Sequence, residues 1–265
     1  MTLIIGIKCT DGIVVGADGA ATLGSLGQMT VRQPVRKLEC LDSLILGVSG
    51  PVGLGQLFSF SVKQLWENKK LSNKQPFEAM AIIRDALAKQ LVPEFHAAAE
   101  ARKALGDQLP LQSVLSSTIV ALPVAKVPCL FQFNHQAAPE AATDSLPFVA
   151  IGSGQSLADP FLAFLRRIFW PAQSPTLADG VLATYWTLQH AIQSTPGGVA
   201  EPMQIMVLEK VHNDWCAREL GNAELSEHSQ AVSAAEEALR NFRVSLQNSS
   251  HLGPGDVPPS PERLS

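Results

Sequence analysis

The 265-residue sequence lacks the features that mark several common classes of protein. It has no run of about 18 apolar residues, so no membrane-spanning helix and no membrane partner are expected. No basic segment leads into a short apolar stretch near the start, as in a secretion signal. The four cysteines and six histidines show neither zinc-ligand spacing nor a disulfide framework. We therefore expect a cytoplasmic protein with no metal and no cofactor.

The chain also has no large excess of positive or negative charge. The formal net charge is −4, and basic residues are scattered, with the densest clusters at Lys69-Lys70 and Arg166-Arg167. Because nucleic-acid binding requires a concentrated positive surface, we expect no nucleic-acid partner. Hydrophobic residues make up 46% of the chain, which is ample for the core of one large domain with an appendage.

Short apolar runs alternate with longer segments of helical periodicity. The runs 3–9 and 13–17 are joined by a Thr-Asp-Gly turn, which is typical of a hairpin. Apolar residues recur every three or four positions over 52–69, which predicts a helix. A second helical region, 77–104, contains Pro93, which we expect to kink or divide it. Further strands are predicted at 35–41, 44–49, 116–122, 129–134, 147–151, 203–210 and 213–219, and further helices at 157–170 and 176–194.

The order of these elements indicates the fold class. Strands, two helices, strands, two helices and strands follow one another, mostly with hairpin-length connections between strands. This pattern predicts antiparallel sheets with helices outside them, an α+β layered fold, over residues 1–220. The polar stretch from Gly19 to Gln33 carries no strand prediction.

The end of the chain has a different character. Over 221–247, apolar residues spaced by seven predict one amphipathic helix with a narrow apolar seam. Residues 248–265 are rich in Ser, Gly and Pro and are expected to form a disordered tail. The seam residues are Leu225, Val232, Leu239 and Leu246, with His228, Ala235 and Phe242 between them.

The start of the chain carries the strongest chemical signal, because Thr2 directly follows Met1. Once Met1 is removed, Thr2 has both a hydroxyl and a free α-amine. The ordinary pKa of an α-amine, roughly 7.7 to 8, leaves a useful unprotonated fraction near neutral pH. One residue then supplies a nucleophile and a base. Many soluble chains also begin Met-Thr, so the pair taken alone indicates an ordinary start.

Three further positions carry residue types that can assist Thr2 in catalysis. Asp18 ends the second strand of the hairpin that Thr2 begins, so the two are expected to be neighbours. Lys37 lies in an apolar strand, where alternation can turn its ammonium inward to favour a threonine alkoxide, with Asp18 neutralising it. Ser49-Gly50 precedes a helix, where free N–H groups can stabilise an oxyanion. Each position alone also fits an ordinary structural role: Asp18 as a turn residue, Lys37 as an exposed edge-strand lysine, and Ser49-Gly50 as a helix-entry turn.

These residues stand in motifs that resemble the proteasome β-type threonine peptidases, most closely bacterial HslV. The resemblance extends over about residues 2–220, and its divergence and C-terminal extension suggest the separate branch of β-proteobacterial proteasome homologues. It implies an N-terminal nucleophile hydrolase fold, a four-layer αββα sandwich. The matching segments are Ala17-Asp18-Gly19-Ala20-Ala21-Thr22-Leu23-Gly24, Arg36-Lys37-Leu38 and Ala150-Ile151-Gly152-Ser153-Gly154-Gln155.

The resemblance also implies a role for each site residue. Thr2 is the nucleophile, and Asp18 and Lys37 are its charge partners. Gly50 donates an N–H to the oxyanion, and Ser153 polarises the Thr2 amine or an attached water. The substrate residue before the scissile bond is expected to enter a small apolar pocket. Its lining residues are Ala21, Thr22, Val35, Val48 and Val52.

The activity implied is that of a self-compartmentalising threonine-type endopeptidase. Its subunits would form a homo-oligomeric ring or stacked double ring of six or seven subunits per ring. Its substrates would be unfolded proteins or peptides, and an AAA+ ATPase unfoldase is a candidate partner.

One departure from the family leaves alternatives open. Proteasome β subunits carry an aspartate and a serine before a Gly-Gly pair in a late turn, where this chain reads Gln193-Ser194-Thr195-Pro196-Gly197-Gly198. A ring-forming protein of the same fold with little or no peptidase activity therefore stays open. So does an amidohydrolase that cleaves small amides with the same nucleophile.

Overall fold

The computed structural model describes residues 2–25, 28–105, 114–195 and 198–249, and for 22–32, 105 and 248–249 it describes the backbone alone. Two five-stranded antiparallel sheets form the centre of the protein. The first sheet has the order β10-β1-β2-β11-β12, with β1 at Ile4–Lys8, β2 at Gly12–Ala17, β10 at Phe148–Ile151, β11 at Gln204–Val211 and β12 at Asp214–Glu219.

The second sheet and a separate hairpin complete the strands. The second sheet has the order β5-β6-β7-β8-β9, with β5 at Leu38–Leu41, β6 at Leu44–Ser49, β7 at Ser117–Val124, β8 at Val127–Phe133 and β9 at Pro139–Ala141. The hairpin consists of β3, Ala20–Ser25, and β4, Gln28–Pro34.

Five helices accompany the sheets among the described residues. They are α1 at Val52–Glu67, α2 at Pro76–Leu105, α3 at Gln155–Phe169, α4 at Leu177–Ser194 and α5 at Asn222–Ser249. No helix in this described part of the chain combines the length and the apolar character that crossing a membrane requires.

The two faces of strand β1 explain how the layers stack. Side chains of successive strand residues point to opposite faces. Leu3 and Ile5 pack in a core with α3 and α4, whereas Ile4 packs in a second core between the two sheets. A third core joins the other face of the second sheet to α1 and α2. The result is a four-layer αββα sandwich, as the resemblance implied.

Two local elements go beyond what the sequence predicted. Helix α2 continues through Pro93, so of the two alternatives, a kink or a division, the division is excluded. Leu87 and Leu91, on the turns before it, are buried against the second sheet, and this packing compensates for the lost backbone donor. The polar stretch after Gly19 forms the β3–β4 hairpin. It had no predicted strand because it lacks the apolar alternation on which strand prediction rests.

Helix α5 begins beside α4 and then extends beyond it. Val232 is fully buried in the core shared with α4, and Leu225 and Ala235 pack on the same core. The helix ends at Ser249, two residues after the predicted end. Residues 250–265 of the predicted tail lie outside the described part of the chain.

Candidate active site

The five predicted catalytic residues lie in one region where the two sheets meet. Thr2, Lys37 and Gly50 line the same cavity of about 410 Å³. Asp18 contacts Lys37, and Ser153 contacts the backbone nitrogen of Thr2. These residues come from both sheets and from widely separated parts of the chain, so the tertiary fold assembles the site.

Asp18 is a fully buried carboxylate beside the start of β1. Strand β2 pairs with β1 up to Ala17, and the Asp18 N–H then donates to the Leu3 carbonyl at 3.1 Å. The carboxylate accepts four hydrogen bonds, which compensate for its loss of water. The donors are the Leu3 N–H at 2.8 Å, the Ala20 N–H at 3.2 Å, the Ala200 N–H at 3.2 Å and the Lys37 ammonium at 2.6 Å.

Lys37 lies in the short connection between β4 and β5, not within a strand as expected. Its side chain is nevertheless turned inward, with 7% of its surface exposed and its Nζ 2.6 Å from Asp18 Oδ1. The Lys37 backbone N–H donates to Gln204 Oε1 at 2.7 Å. Gln204 pairs with Ala17 at the start of β11, so it holds the Lys37 backbone next to Asp18. No local sequence motif marks this role of Gln204.

Gly50 occupies a position that requires glycine. Its φ is +139°, and a Cβ atom there would lie 2.6 Å from the Leu115 carbonyl oxygen. The buried Ser116 hydroxyl donates to the Ser49 carbonyl at 3.0 Å. Because the carbonyl and N–H of a planar trans peptide point in opposite directions, this bond also orients the Gly50 N–H. Ser116 was missed in the sequence, where it marks only the start of a strand.

Thr2, the predicted nucleophile, is held through its backbone by the turn after β10. Its carbonyl accepts from the Gly154 N–H at 3.1 Å, and its own N–H donates to Ser153 Oγ at 3.1 Å. Gly152, with φ +94°, allows this approach, because a Cβ atom there would be 2.2 Å from the Thr2 oxygen. In the full-length chain the Thr2 nitrogen is an amide, and removal of Met1 converts it into an amine.

Most of the residues predicted to line a substrate pocket lie around the cavity that contains Thr2. Ala21, Val35, Val48 and Val52 line the cavity, as expected, whereas the side chain of Thr22 lies outside the described part. Polar groups line the same cavity. The other lining residues are Arg36, Glu39, Pro51, Gly55, Gln56 and Ser59.

Glu39 brings a negative charge to this pocket. Burial raises the pKa of its carboxyl, but hydrogen bonds from Lys63 and from Ser59, the latter at 2.9 Å, outweigh this and leave the pKa below its usual value. Glu39 is therefore ionised at neutral pH. Lys37 and Glu39 flank the buried Leu38, so the alternation that predicted an inward Lys37 also predicts Glu39 on the same side.

The segment that follows Gln193–Gly198, the stretch without the expected aspartate, contributes a backbone donor to the site. Pro196 and Gly197 lie outside the described residues, and the Thr195 hydroxyl donates to the Ala191 carbonyl at 2.7 Å. Ala200, after the turn, is one of the donors to Asp18. Within the described part of the chain, no cluster of three His, Cys, Asp or Glu residues is arranged to hold a metal ion.

Comparisons with known proteins agree with this architecture. A family model described as "Proteasome subunit" matches residues 2–98. No curated protein matches the chain by sequence. Among solved structures, Anbu (ancestral beta-subunit) from Yersinia bercovieri has 11% sequence identity and a TM-score of 0.67, over 91% of this chain and 97% of that one.

Two further Anbu structures extend the likeness to nearly the whole chain. The helical assembly of the Anbu complex from Pseudomonas aeruginosa has 13% identity and a TM-score of 0.64, over 99% of this chain and 100% of that one. The Anbu (Gly-1) mutant from Hyphomicrobium sp. strain MC1 has 18% identity and a TM-score of 0.63, over 97% and 100%. The protein thus has a proteasome-type, N-terminal nucleophile hydrolase fold.

Proposed function

We propose that this protein is a threonine-type endopeptidase whose nucleophile is Thr2, exposed by removal of Met1. The observation that carries the proposal is the shared cavity in which Thr2, Lys37 and Gly50 meet, with Asp18 bonded to Lys37 and Ser153 to the Thr2 nitrogen. A nucleophile, a base on the same residue, a buried cation and an N–H donor together suit acyl transfer.

In the first stage, Thr2 Oγ attacks a peptide carbonyl while its α-amine accepts the hydroxyl proton. The Lys37 ammonium, which lines the same cavity, favours the developing alkoxide, and Asp18 holds that ammonium in place. The negative charge that moves to the carbonyl oxygen is stabilised by the Gly50 N–H. The α-ammonium then gives its proton to the leaving amine, and an ester on Thr2 remains.

In the second stage, water hydrolyses this ester. The α-amine, now unprotonated, accepts a proton from the attacking water, and the proton returns to Thr2 Oγ as the ester bond breaks. Ser153 Oγ accepts a hydrogen bond from the Thr2 nitrogen and so directs the nitrogen lone pair in both stages.

The cavity supports a preference at the residue before the scissile bond. Val35, Val48 and Val52 suit an apolar stem, and the ionised Glu39 suits a basic end group. Side chains with both parts, lysine and arginine, therefore join the apolar residues as proposed substrates.

The proposed setting is a homo-oligomer in the cytoplasm. The fold likeness to Anbu, including a helical assembly of that complex, supports self-association. We propose a closed ring or stacked double ring of six or seven subunits, because enclosure would limit proteolysis to unfolded proteins and peptides that can enter. An AAA+ ATPase is the proposed unfoldase, and the motif order supports the proposal that the chain is related to HslV and to the β-proteobacterial branch.

One observation favours a second candidate, a ring-forming protein with little or no peptidase activity. The described residues place a serine on the Thr2 nitrogen, and none of their carboxylates bonds to that nitrogen or to Ser153 Oγ. The amine would then lack the aspartate that supports it in proteasome subunits. An amidohydrolase acting on small amides is the third candidate, because the same nucleophile chemistry would serve it.

Labelling of the purified assembly with a peptide epoxyketone tests the proposal, with Thr2→Ala as the control. Intact mass should show loss of Met1 and one adduct on Thr2. Retention of Met1 would exclude both hydrolase candidates. A processed assembly that forms no adduct would favour the inactive ring, and turnover of small amides without turnover of unfolded casein would favour the amidohydrolase.

A further inference from the structure

The second half of helix α5 carries an apolar stripe that nothing in the described chain covers. In the first half, the same seam faces α4, and Val232 there is fully buried. The helix then runs past the body of the protein without changing its pattern. The stripe consists of Leu239, Phe242 and Leu246, which are 57%, 60% and 52% exposed.

The spacing of the stripe is that of a coiled-coil seam. In heptad terms, Leu239 and Leu246 occupy a positions and Phe242 occupies a d position. The neighbouring e positions carry opposite charges, Glu236 and Arg243. The neighbouring g positions carry small residues, Ala238 and Ser245, which allow two helices to approach closely.

We infer that this stripe pairs two copies of the chain through antiparallel α5 helices. In antiparallel pairing, a positions face d positions, so Leu239 of one copy packs on Phe242 of the second copy. The same register sets Glu236 against Arg243 of the second copy, twice by symmetry. It also sets Ala238 against Ser245 of the second copy, leaving room for the Leu and Phe side chains.

The charges favour this occupant over others. A parallel pair would set Glu236 against Ala231 and Arg243 against Ala238, with no ion pair. An anionic membrane selects helices with a polar face rich in Lys and Arg, whereas Glu236, Glu237, Arg240 and Arg243 balance one another. A two-fold pair is also a closed, self-complementary contact. The inference does not depend on peptidase activity.

Sedimentation velocity of the full chain tests the contact. The double variant Leu239→Ser/Phe242→Ser should reduce the mass of the assembly by half or more at the same protein concentration. Val244→Ser is the matched control, because Val244 is 52% exposed on the opposite side of the helix. It should keep the wild-type mass. Circular dichroism checks that both variants fold, since Val232 is untouched. An unchanged mass for the double variant would overturn the inference.

A charge exchange tests the antiparallel register. At low salt, Glu236→Arg and Arg243→Glu should each weaken pairing on the order of tenfold, because each change creates two like-charge contacts. The two substitutions together should restore wild-type affinity. Failure of the double variant to restore pairing, or loss of pairing in favour of anionic phosphatidylserine vesicles, would contradict the inference. Thr2→Ala should pair normally, so a failure of the peptidase proposal is separable.

Discussion

Removal of either member of the buried Asp18–Lys37 pair should abolish labelling of Thr2, but the two changes should differ in their effect on stability. In Lys37→Met, Asp18 keeps its three backbone N–H donors, from Leu3, Ala20 and Ala200. The carboxylate therefore remains largely compensated. We expect the free energy of unfolding to fall by about 1–3 kcal/mol, the cost of one lost charged hydrogen bond.

In Asp18→Ala, three backbone N–H groups lose their acceptor at once. An ammonium that is 7% exposed also loses its carboxylate. Each buried donor left unsatisfied costs about 1–3 kcal/mol of stability. Water that enters the vacated space and bonds to these donors offsets part of this cost. A loss of about 3–5 kcal/mol follows, which is the magnitude known for breaking a buried ion pair. Asp18→Ala should thus be less stable than Lys37→Met by about 2 kcal/mol.

Urea unfolding of both variants at one protein concentration measures this difference, since assembly makes apparent stability depend on concentration. With a slope of about 1–3 kcal/mol/M, the midpoint of Asp18→Ala should lie roughly 0.7–2 M below that of Lys37→Met. Equal midpoints, or a lower midpoint for Lys37→Met, would refute the structural role assigned to the backbone donors. Epoxyketone labelling of either variant at the wild-type rate would refute the catalytic role.

Three further outcomes are expected. Ser116→Ala should lower kcat for peptide hydrolysis about tenfold, with KM and the pH profile unchanged, because it misorients the Gly50 N–H; a matching rise in KM would contradict this. Glu39→Gln should reduce cleavage after arginine relative to leucine about tenfold, whereas Lys63→Met should increase it, as competition assays with paired peptides can measure. Burial lowers the pKa of His228 from 6.5 against the opposing effect of Glu227 and Glu224. Below pH 6.5 the unfolded chain therefore binds more protons than the folded chain. The stability that the docked α5 contributes is fully present above pH 6.5 and decreases as the pH falls below that value. The difference in urea midpoint between wild type and His228→Leu should therefore change between pH 7 and pH 5.

The site residues that the sequence predicted are those with a local signature. Thr2 is set by its position in the chain, Asp18 by the end of a hairpin, and Gly50 by a strand-to-helix turn. Ser116 and Gln204 have no such signature, because they act on residues 67 and 167 positions away. Only the pairing of β6 with β7, and of β2 with β11, brings them to the site.

The lining of the pocket follows in part from strand alternation. Alternation predicts an inward Lys37, and it predicts Glu39, two residues further on, to lie on the same side. The valines were predicted because they flank the motif residues, and this selection favoured an apolar pocket. The side chains from α1, Gln56 and Ser59, are contributed by a helix whose inward face became known only with the tertiary structure.

The Asp18–Lys37 pair joins the two sheets as well as serving the proposed chemistry. Asp18 belongs to the β1–β2 side, and Lys37 leads directly into β5 of the other sheet. Three backbone donors from separate segments converge on Asp18, so the pair would be retained for stability even in a protein that had lost catalysis. An intact pair is therefore weak evidence of activity. The N-terminal amine of Thr2 is different, because it contributes to chemistry only after Met1 has gone. Its state, measured by intact mass and by covalent labelling, separates a peptidase from an inactive ring of the same fold.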